Sequence, residues 1–325
     1  MFKGRNVLIT GGLGFIGSSL AKELISQGAN VSIVDNLDSN GGANFFNLKN
    51  DLSKLTFVKG SISNDSLMKS LISNVDFIFN LAAQTSHTGS MQNPIYDLDV
   101  NYRSQLALLE LCKIYNSGVR IVFASTRQVY GSPINIPVSE GHAINPPDVN
   151  AINKYSAECA YNLYHQLFGI QSTVVRLTNT YGPRMRIQDA KQTFVGYWIK
   201  LILLNKSFSI YGDGTQLRDF LYIDDCVSAL ILAATSPNTI GNTYNLGTSD
   251  AISLIELADL LCEINNGCNY SLMPFPHDRK QIDIGSYATD NTYFNQATGW
   301  KPNIRYIDGF TRTLNFYKEH LINYL

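Results

Sequence analysis

The stretch Val7-Leu8-Ile9-Thr10-Gly11-Gly12-Leu13-Gly14-Phe15-Ile16-Gly17 constrains this chain more than any other part of it. A short apolar run ends in glycines, and an amphipathic helical pattern (Phe15, Ile16, Leu20, Leu24, Ile25) begins at once. The spacing predicts a strand, a tight turn and a helix N-terminus. Glycine suits such a turn because it adopts backbone angles that a Cβ forbids. It also lets backbone N–H groups approach an anion closely. The free N–H groups and dipole of the helix then face that anion. A glycine triplet alone is equally compatible with a plain βα turn. The next strand, Asn30-Val31-Ser32-Ile33-Val34, ends in Asp35, where an acid is placed to take the hydroxyls of an adenosine ribose. No arginine follows Asp35 directly, and a carboxylate there repels a 2′-phosphate. The sequence therefore predicts NAD(H) rather than NADP(H).

Further strands are predicted over 55–58, 75–81, 120–124 and 172–177, and helices over 66–72, 94–115 and 151–168, with a loop over 38–42. Strands alternating with helices at this spacing predict an α/β fold: a Rossmann-type, doubly wound parallel sheet with right-handed crossovers. Ligands in such sheets sit at the carboxyl ends of the strands, where Gly11, Asp35, Ser61, Ala82, Thr126 and Asn179 all fall. Past Leu177 a charged loop (Arg184, Arg186, Asp189) leads to a helix near 194–204, a strand and turn over 208–214, and helices near 223–234 and 253–264. We expect an NAD-binding domain over residues 1–178, with a returning segment near 221–246, and a smaller α/β substrate lobe over 179–325.

Charge narrows the partners. Lys plus Arg number 25 against 26 Asp plus Glu, which gives no electrostatic case for nucleic acid or an anionic membrane. No apolar run reaches the ~18 residues of a membrane span, and no signal-peptide core precedes Val7, so an integral membrane segment is not expected and a cytoplasmic location is. The five cysteines are odd in number, scattered and without a CxxC pair. They are expected as reduced thiols, and no metal site is predicted.

Taken in order, the motifs resemble the extended short-chain dehydrogenase/reductase superfamily, specifically its nucleotide-sugar epimerases, dehydratases and decarboxylases. The pieces are the 10–17 glycine turn, Asp35-Asn36-Leu37, Leu81-Ala82-Ala83, Ser125-Thr126 with Val129-Tyr130-Gly131, Lys154 with Glu158, Asn179, Tyr181-Gly182-Pro183, Tyr211-Gly212-Asp213-Gly214 with Gln216, Arg218-Asp219-Phe220 and Asp224-Asp225. The resemblance covers nearly the whole chain. It implies NAD as a retained cofactor, seated on Gly11, Gly14, Phe15, Ile16, Asp35, Asn36, Ser61, Ile62, Leu81, Ala82, Ala83, Asn101, Lys154 and Thr178. Ser61 stands where relatives often hold adenine with Asp. The implied reaction removes hydride from a sugar carbon, usually C4, while a tyrosinate takes the hydroxyl proton. Thr126 matches the Ser or Thr that orders that hydroxyl, and Lys154 matches the lysine that lowers the tyrosine pKa and binds the nicotinamide ribose.

The tyrosine itself is absent: four residues before Lys154 stands Asn150. An amide has no proton to lose near neutral pH and cannot be the general base. Three accounts are open. The base comes from elsewhere, with His87, Tyr130 or a water on Asn150 and Lys154 as candidates; the hydride step is slow or differently driven; or the chain binds ligands without turnover. His87 lies in a loop that borders the sugar in relatives, and an imidazole is a suitable general base near neutral pH, although a loop histidine is also commonly just solvated. Tyr130 sits where many relatives carry tyrosine and reads as packing. The 4,6-dehydratases carry Asp-Glu after the Thr; Arg127 and Gln128 stand here and do neither job, which disfavours dehydration. Arg127 is a candidate anchor for a substrate carboxylate, with a salt bridge as the plain alternative.

By resemblance, Asn179, Arg218 and Arg279 hold a nucleotide diphosphate, for which the guanidinium fork is well matched. A buried pair with Asp219 or Asp225 is the alternative for Arg218. Arg184 and Arg186 are placed to reach phosphate or carboxylate, with Arg186 read as solvated. The partner expected is thus a nucleotide-diphosphate sugar. The helical stretches also mirror relatives that dimerise through a four-helix bundle, with Leu98, Tyr102, Leu106 and Leu109 on one and Tyr161, Tyr164, Leu167 and Phe168 on the other. A homodimer is expected.

Overall fold

The computed structural model describes residues 1–38, 41–190 and 193–325, so Ser39 and Asn40 of the predicted 38–42 loop lie outside the described residues. Its centre is a parallel sheet built from β1 (Asn6–Thr10), β2 (Asn30–Asp35), β3 (Thr56–Lys59), β4 (Phe77–Asn80), β5 (Arg120–Thr126) and β6 (Gln171–Leu177). After β7 (Asn179–Tyr181), β8 (Phe208–Tyr211), β9 (Leu217–Arg218) and β10 (Phe220–Tyr222), the chain returns to the sheet as β11 (Thr243–Leu246). The order is β11-β6-β5-β4-β1-β2-β3, seven parallel strands added outward to opposite sides from β1 and β4. That change of side opens a crevice at the carboxyl ends of β1 and β4.

Both faces of the sheet are covered, which is why β5 reads Arg-Ile-Val-Phe-Ala-Ser without polar alternation. On one face, Ile9, Ile33, Phe79, Val122 and Val175 pack with α1 (Phe15–Ser26) and α8 (Ile223–Thr235), and this core runs on to Trp198, Phe220 and Phe310 beyond the sheet. On the other, Leu8, Ile78, Ile121 and Phe123 meet α2 (Asp65–Ile72), α5 (Ser104–Tyr115) and α6 (Val149–Phe168). Each large side chain buried there contributes about 1.5–3 kcal/mol. Arg120, the charged first residue of β5, is buried because its guanidinium receives the end of α8: it donates to Ala233 O (2.7 Å) and Ala234 O (3.1 Å). Burial pushes its pKa down to about 10.

Three sequence expectations need correction. The 94–115 helix is not continuous: α4 (Pro94–Leu98) passes through one wide turn, Asp99–Arg103, before α5. Of the residues expected on the four-helix-bundle faces, Leu109, Tyr161 and Tyr164 are buried in the chain's own core, packed with β4 and β5. Cys262 and Cys268 form a disulfide; left-handed Asn266 and Gly267 fold the chain after α9 (Leu254–Ile264) back until the two Cα atoms are 4.8 Å apart. Cys112 and Cys226 are buried thiols and Cys159 is an exposed one. Among the described residues no helix is long and apolar enough to cross a membrane, and no cluster of metal-ligating side chains forms.

Candidate active site

A cleft of about 800 Å³ runs along the carboxyl ends of the strands. At its β1–β2 end the wall is backbone. Gly11 has φ +68°, and a Cβ on it would lie 3.1 Å from the backbone of Ala82. A Cβ on Gly17 would lie 2.2 Å from Gly11 O, so the first turn of α1 can cross the loop only without a side chain there. Thr10 Oγ1 donates to Asn80 Oδ1 (2.7 Å) and accepts from Leu81 N and Ala82 N (3.0 Å each), latching β4 to β1. Asp35 is buried, with Oδ2 accepting from Leu13 N (3.1 Å) and Oδ1 from Leu37 N (3.0 Å); burial raises its pKa against those two bonds, which lower it. Gly14, Phe15, Ile16, Asn36, Ser61, Ile62, Leu81, Ala82, Ala83 and Thr178 line the same cleft. Asn101 does not: it lies behind the wall, its amide donating to Gln84 O (2.9 Å) and Asp97 Oδ2 (3.0 Å). A glycine cradle at a helix N-terminus with a carboxylate at the end of the next strand fits a dinucleotide.

The β4–β5 end is built of side chains. Thr126 closes β5, its Oγ1 accepting from Gln128 N (3.1 Å). Lys154, on α6, donates to Ala124 O (2.9 Å) and sits 4.9 Å from the centre of the Phe123 ring. Burial lowers its pKa to about 8, with Asp97 and Glu158 acting in the other direction. One helical turn earlier, Asn150 is fully committed: its amide nitrogen donates to Gln84 O (2.7 Å) and Asp97 Oδ2 (3.1 Å). Asp97 is a residue that sequence reasoning missed. Its carboxylate is wholly buried and gathers the amides of Asn101, Asn150 and Asn153, the last at 2.8 Å. His87 opens α3 (His87–Gln92), lines the cleft and is one-third exposed, with Nδ1 buried 2.9 Å from Asp148 Oδ2. Tyr130 is removed as a candidate base, since it is buried away from the cleft, donating to Asn245 Oδ1 (2.7 Å) and accepting from Arg176 Nη1 (2.7 Å).

The arginines sort differently from the sequence reading. Arg127 Nη2 donates to Asn179 Oδ1 (2.9 Å), its guanidinium lies 5.0 Å from the centre of the Tyr287 ring, and its buried Nη1 has no hydrogen-bond partner among the described residues. Arg279 lines the cleft too, 5.5 Å from the Tyr211 ring centre. Arg218 does not line it. Its Nη2 pairs with Asp283 Oδ1 (3.0 Å), neither Asp219 nor Asp225, and its Nη1 is held by Leu217 O and Gly285 O. Arg184 is also outside, in a separate hollow between α1 and α8, donating to Ser19 Oγ (3.1 Å). Arg186, read as solvated, instead lines the cleft with a side chain only 10 % exposed, bonded to Asp189 Oδ2 (2.8 Å) and Gly41 O (2.5 Å). Behind Asn179, Asp219 is fully buried. Its carboxylate accepts from Thr178 Oγ1, Thr289 Oγ1 (2.5 Å) and Thr248 N (3.3 Å), and burial raises its pKa.

Residues 7–247 match the model of the NAD dependent epimerase/dehydratase family. The chain belongs to that family, and NAD is its cofactor. A putative UDP-glucose 4-epimerase of Methanocaldococcus jannaschii is 34 % identical over 322 residues, 97 % of this chain and 99 % of that relative. The UDP-glucose 4-epimerase of Thermotoga maritima, solved with UDP-glucose, is 30 % identical with a TM-score of 0.88, covering 97 % of this chain and 99 % of the other. The UDP-glucuronic acid 4-epimerase of Bacillus cereus, solved with UDP-glucuronic acid and NAD, is 26 % identical with a TM-score of 0.85, at 97 % and 99 % coverage.

Proposed function

We propose that this chain is a nucleotide-sugar epimerase that inverts a sugar carbon, C4 by resemblance, through a keto intermediate, with His87 as the general base. One observation carries the reading: Thr126, Lys154 and the imidazole of His87 line a single cleft with the glycine cradle, while Asn150 has no hydrogen to spare. NAD, when bound, supplies the hydride acceptor and then the donor. Gly11, Gly14 and Phe15 bind it, Asp35 takes the ribose hydroxyls, and Lys154 meets the nicotinamide ribose. As the sugar carbinol becomes a ketone, His87 Nε2 takes the hydroxyl proton, and it returns that proton when the ketone is reduced from the opposite face. Thr126 orders the same oxygen. Arg279, Arg127 and Asn179 hold the diphosphate.

A second reading is oxidation coupled to decarboxylation of a uronic acid sugar; the unpartnered Nη1 of Arg127 favours it, since a carboxylate would complete that guanidinium. The apolar side chains left outside by α4–α6, namely Leu98, Ile114, Tyr115, Ile152, Leu163, Leu167 and Phe168, support a homodimer through a four-helix bundle. A cytoplasmic place in carbohydrate, including polysaccharide, biosynthesis goes with these substrates. The test is incubation with UDP-glucose, UDP-N-acetylglucosamine and UDP-glucuronic acid, read by NMR for the inverted sugar or for loss of carbon dioxide. His87→Gln is expected to keep its NAD and KM and to lose about 10²–10⁴-fold in kcat. Full activity in His87→Gln overturns His87 as base, and inertness of the unaltered chain across a broad panel overturns the enzyme reading.

A further inference from the structure

We infer that Asp148 is the positioning residue of His87, so that the base of this site is one member of an Asp–His pair. The inference rests on the reading of His87 as base. Asp148 is the N-cap of α6, the helix that also carries Asn150 and Lys154. Capping occupies only one of its oxygens: Oδ1 accepts from Ala151 N at 2.8 Å. Asn, Ser or Thr would cap as well. The cap therefore does not account for the negative charge, nor for the second oxygen. Oδ2 lies 2.9 Å from His87 Nδ1 and 3.4 Å from Gln128 Nε2, and the carboxylate is completely shielded from water. A buried carboxylate is costly unless something nearby uses its charge. His87 is that group.

The pair has the polarity a base needs. Nδ1 is buried and faces Asp148, so the accessible edge of the ring, on the cleft side, carries Nε2. A proton held on Nδ1 by the carboxylate leaves Nε2 with its lone pair toward the substrate, and the same carboxylate stabilises the imidazolium once Nε2 is protonated. The N–H direction is off the Nδ1···Oδ2 line, so the contact awaits a small ring rotation, of the kind that tightens when substrate binds. Both partners are fixed from behind. Gln128 is anchored by its bond to Ile282 O (3.0 Å). Asn150 N donates to Ser90 Oγ (3.2 Å), and Ser90 Oγ donates to His87 O (2.7 Å), so the backbone of α6 holds the backbone of His87. Gln128, which lacks acid–base chemistry of its own, serves this geometry through its side-chain amide, and position 150 serves it through its backbone N–H.

Two measurements test the pair. The first needs no substrate: ring 15N NMR of His87 in the full chain with its NAD. We expect the neutral ring protonated at Nδ1 and bare at Nε2, a preference that Asp148→Asn abolishes; the opposite tautomer in the unaltered protein overturns the inference. The second is a double-mutant cycle with His87→Gln, Asp148→Asn and their combination, using UDP-glucose and UDP-glucuronic acid as probes. Asparagine keeps the cap, so melting temperature, NAD content and KM are expected to hold while kcat falls about 10²–10⁴-fold, and the double variant is expected to be no slower than His87→Gln alone. If Asp148→Asn stays within about twofold while His87→Gln is slow, or the two losses multiply, Asp148 is not the positioning residue and the base reading stands. If His87→Gln is fully active, the base reading falls, and this inference with it. Should Asp148→Asn fail to fold, the tautomer of the unaltered protein decides.

Discussion

At the β1–β2 end of the cleft, position is set by atoms that are missing: a methyl group on Gly17 has nowhere to go, and a side chain on Gly11 would press on Ala82. At the β4–β5 end, position is set by side chains tied to partners elsewhere in the chain, as Asn150 is to the backbone carbonyl of Gln84 and the carboxylate of Asp97. The first construction tolerates almost no substitution at its glycines. The second is made of separable parts, so Asn150 stands one helical turn before Lys154 while Thr126 and Lys154 still line the cleft. Chemistry in this fold diverges where the wall is made of exchangeable parts.

The sharpest way to break that contrast is Gly17→Val. The new side chain collides with Gly11 O, so the protein is expected to purify without NAD and with no measurable turnover; retention of NAD would show that the cradle is not rigid. A milder probe is pH. Lys154 loses its ammonium as pH rises through about 8, so activity is expected to fall about tenfold per pH unit above that point, and Lys154→Met to be slow throughout. Stability should not follow. The folded value lies below the ordinary lysine value, so above about pH 8 the unfolded chain holds the extra proton and this group favours folding more as pH rises. A melting temperature that drops in step with activity would argue against Lys154 as the cause. The smallest effect belongs to Asn150→Tyr. It removes a donor from buried Asp97 at a cost of about 1–3 kcal/mol, which should appear as a melting temperature a few degrees lower with no gain in rate. An unaltered chain that is inert across a broad panel, with activity gained on Asn150→Tyr, would mark the chain as a lapsed enzyme.

The same contrast explains what could be read from the sequence. The glycine turn and the acid ending β2 lie within the first 35 residues, and the strands that complete the sheet are likewise local patterns, so fold and family resemblance were legible along the chain. The other end depends on partners far apart in the chain. Asp97 looks like any helical acid until it meets Asn150, 53 residues on, and Arg218 until it meets Asp283, 65 residues on. Arg184 and Arg186 exchanged their expected places because Arg184 takes a left-handed backbone (φ +76°) in a loop where it points to the α1–α8 hollow, a turn that neither composition nor periodicity announces. Nothing in the sequence singles out Asp148; it caps α6 through one oxygen, and the use of the other is invisible without the fold.

Asp219 has a consequence for how ligands come and go. Its one carboxylate fastens the end of β6, the segment after β11 and the loop at Thr289, and the hydrophobic core runs without a break from the sheet to Phe310. Swinging these parts about a hinge would strip several hydrogen bonds from a desolvated charge, at roughly 1–3 kcal/mol or more for each bond left unmade. The scaffold around the cleft is therefore a single stiff body. Under the proposed reading, a sugar that is reduced from its opposite face has to present that face inside walls that do not part.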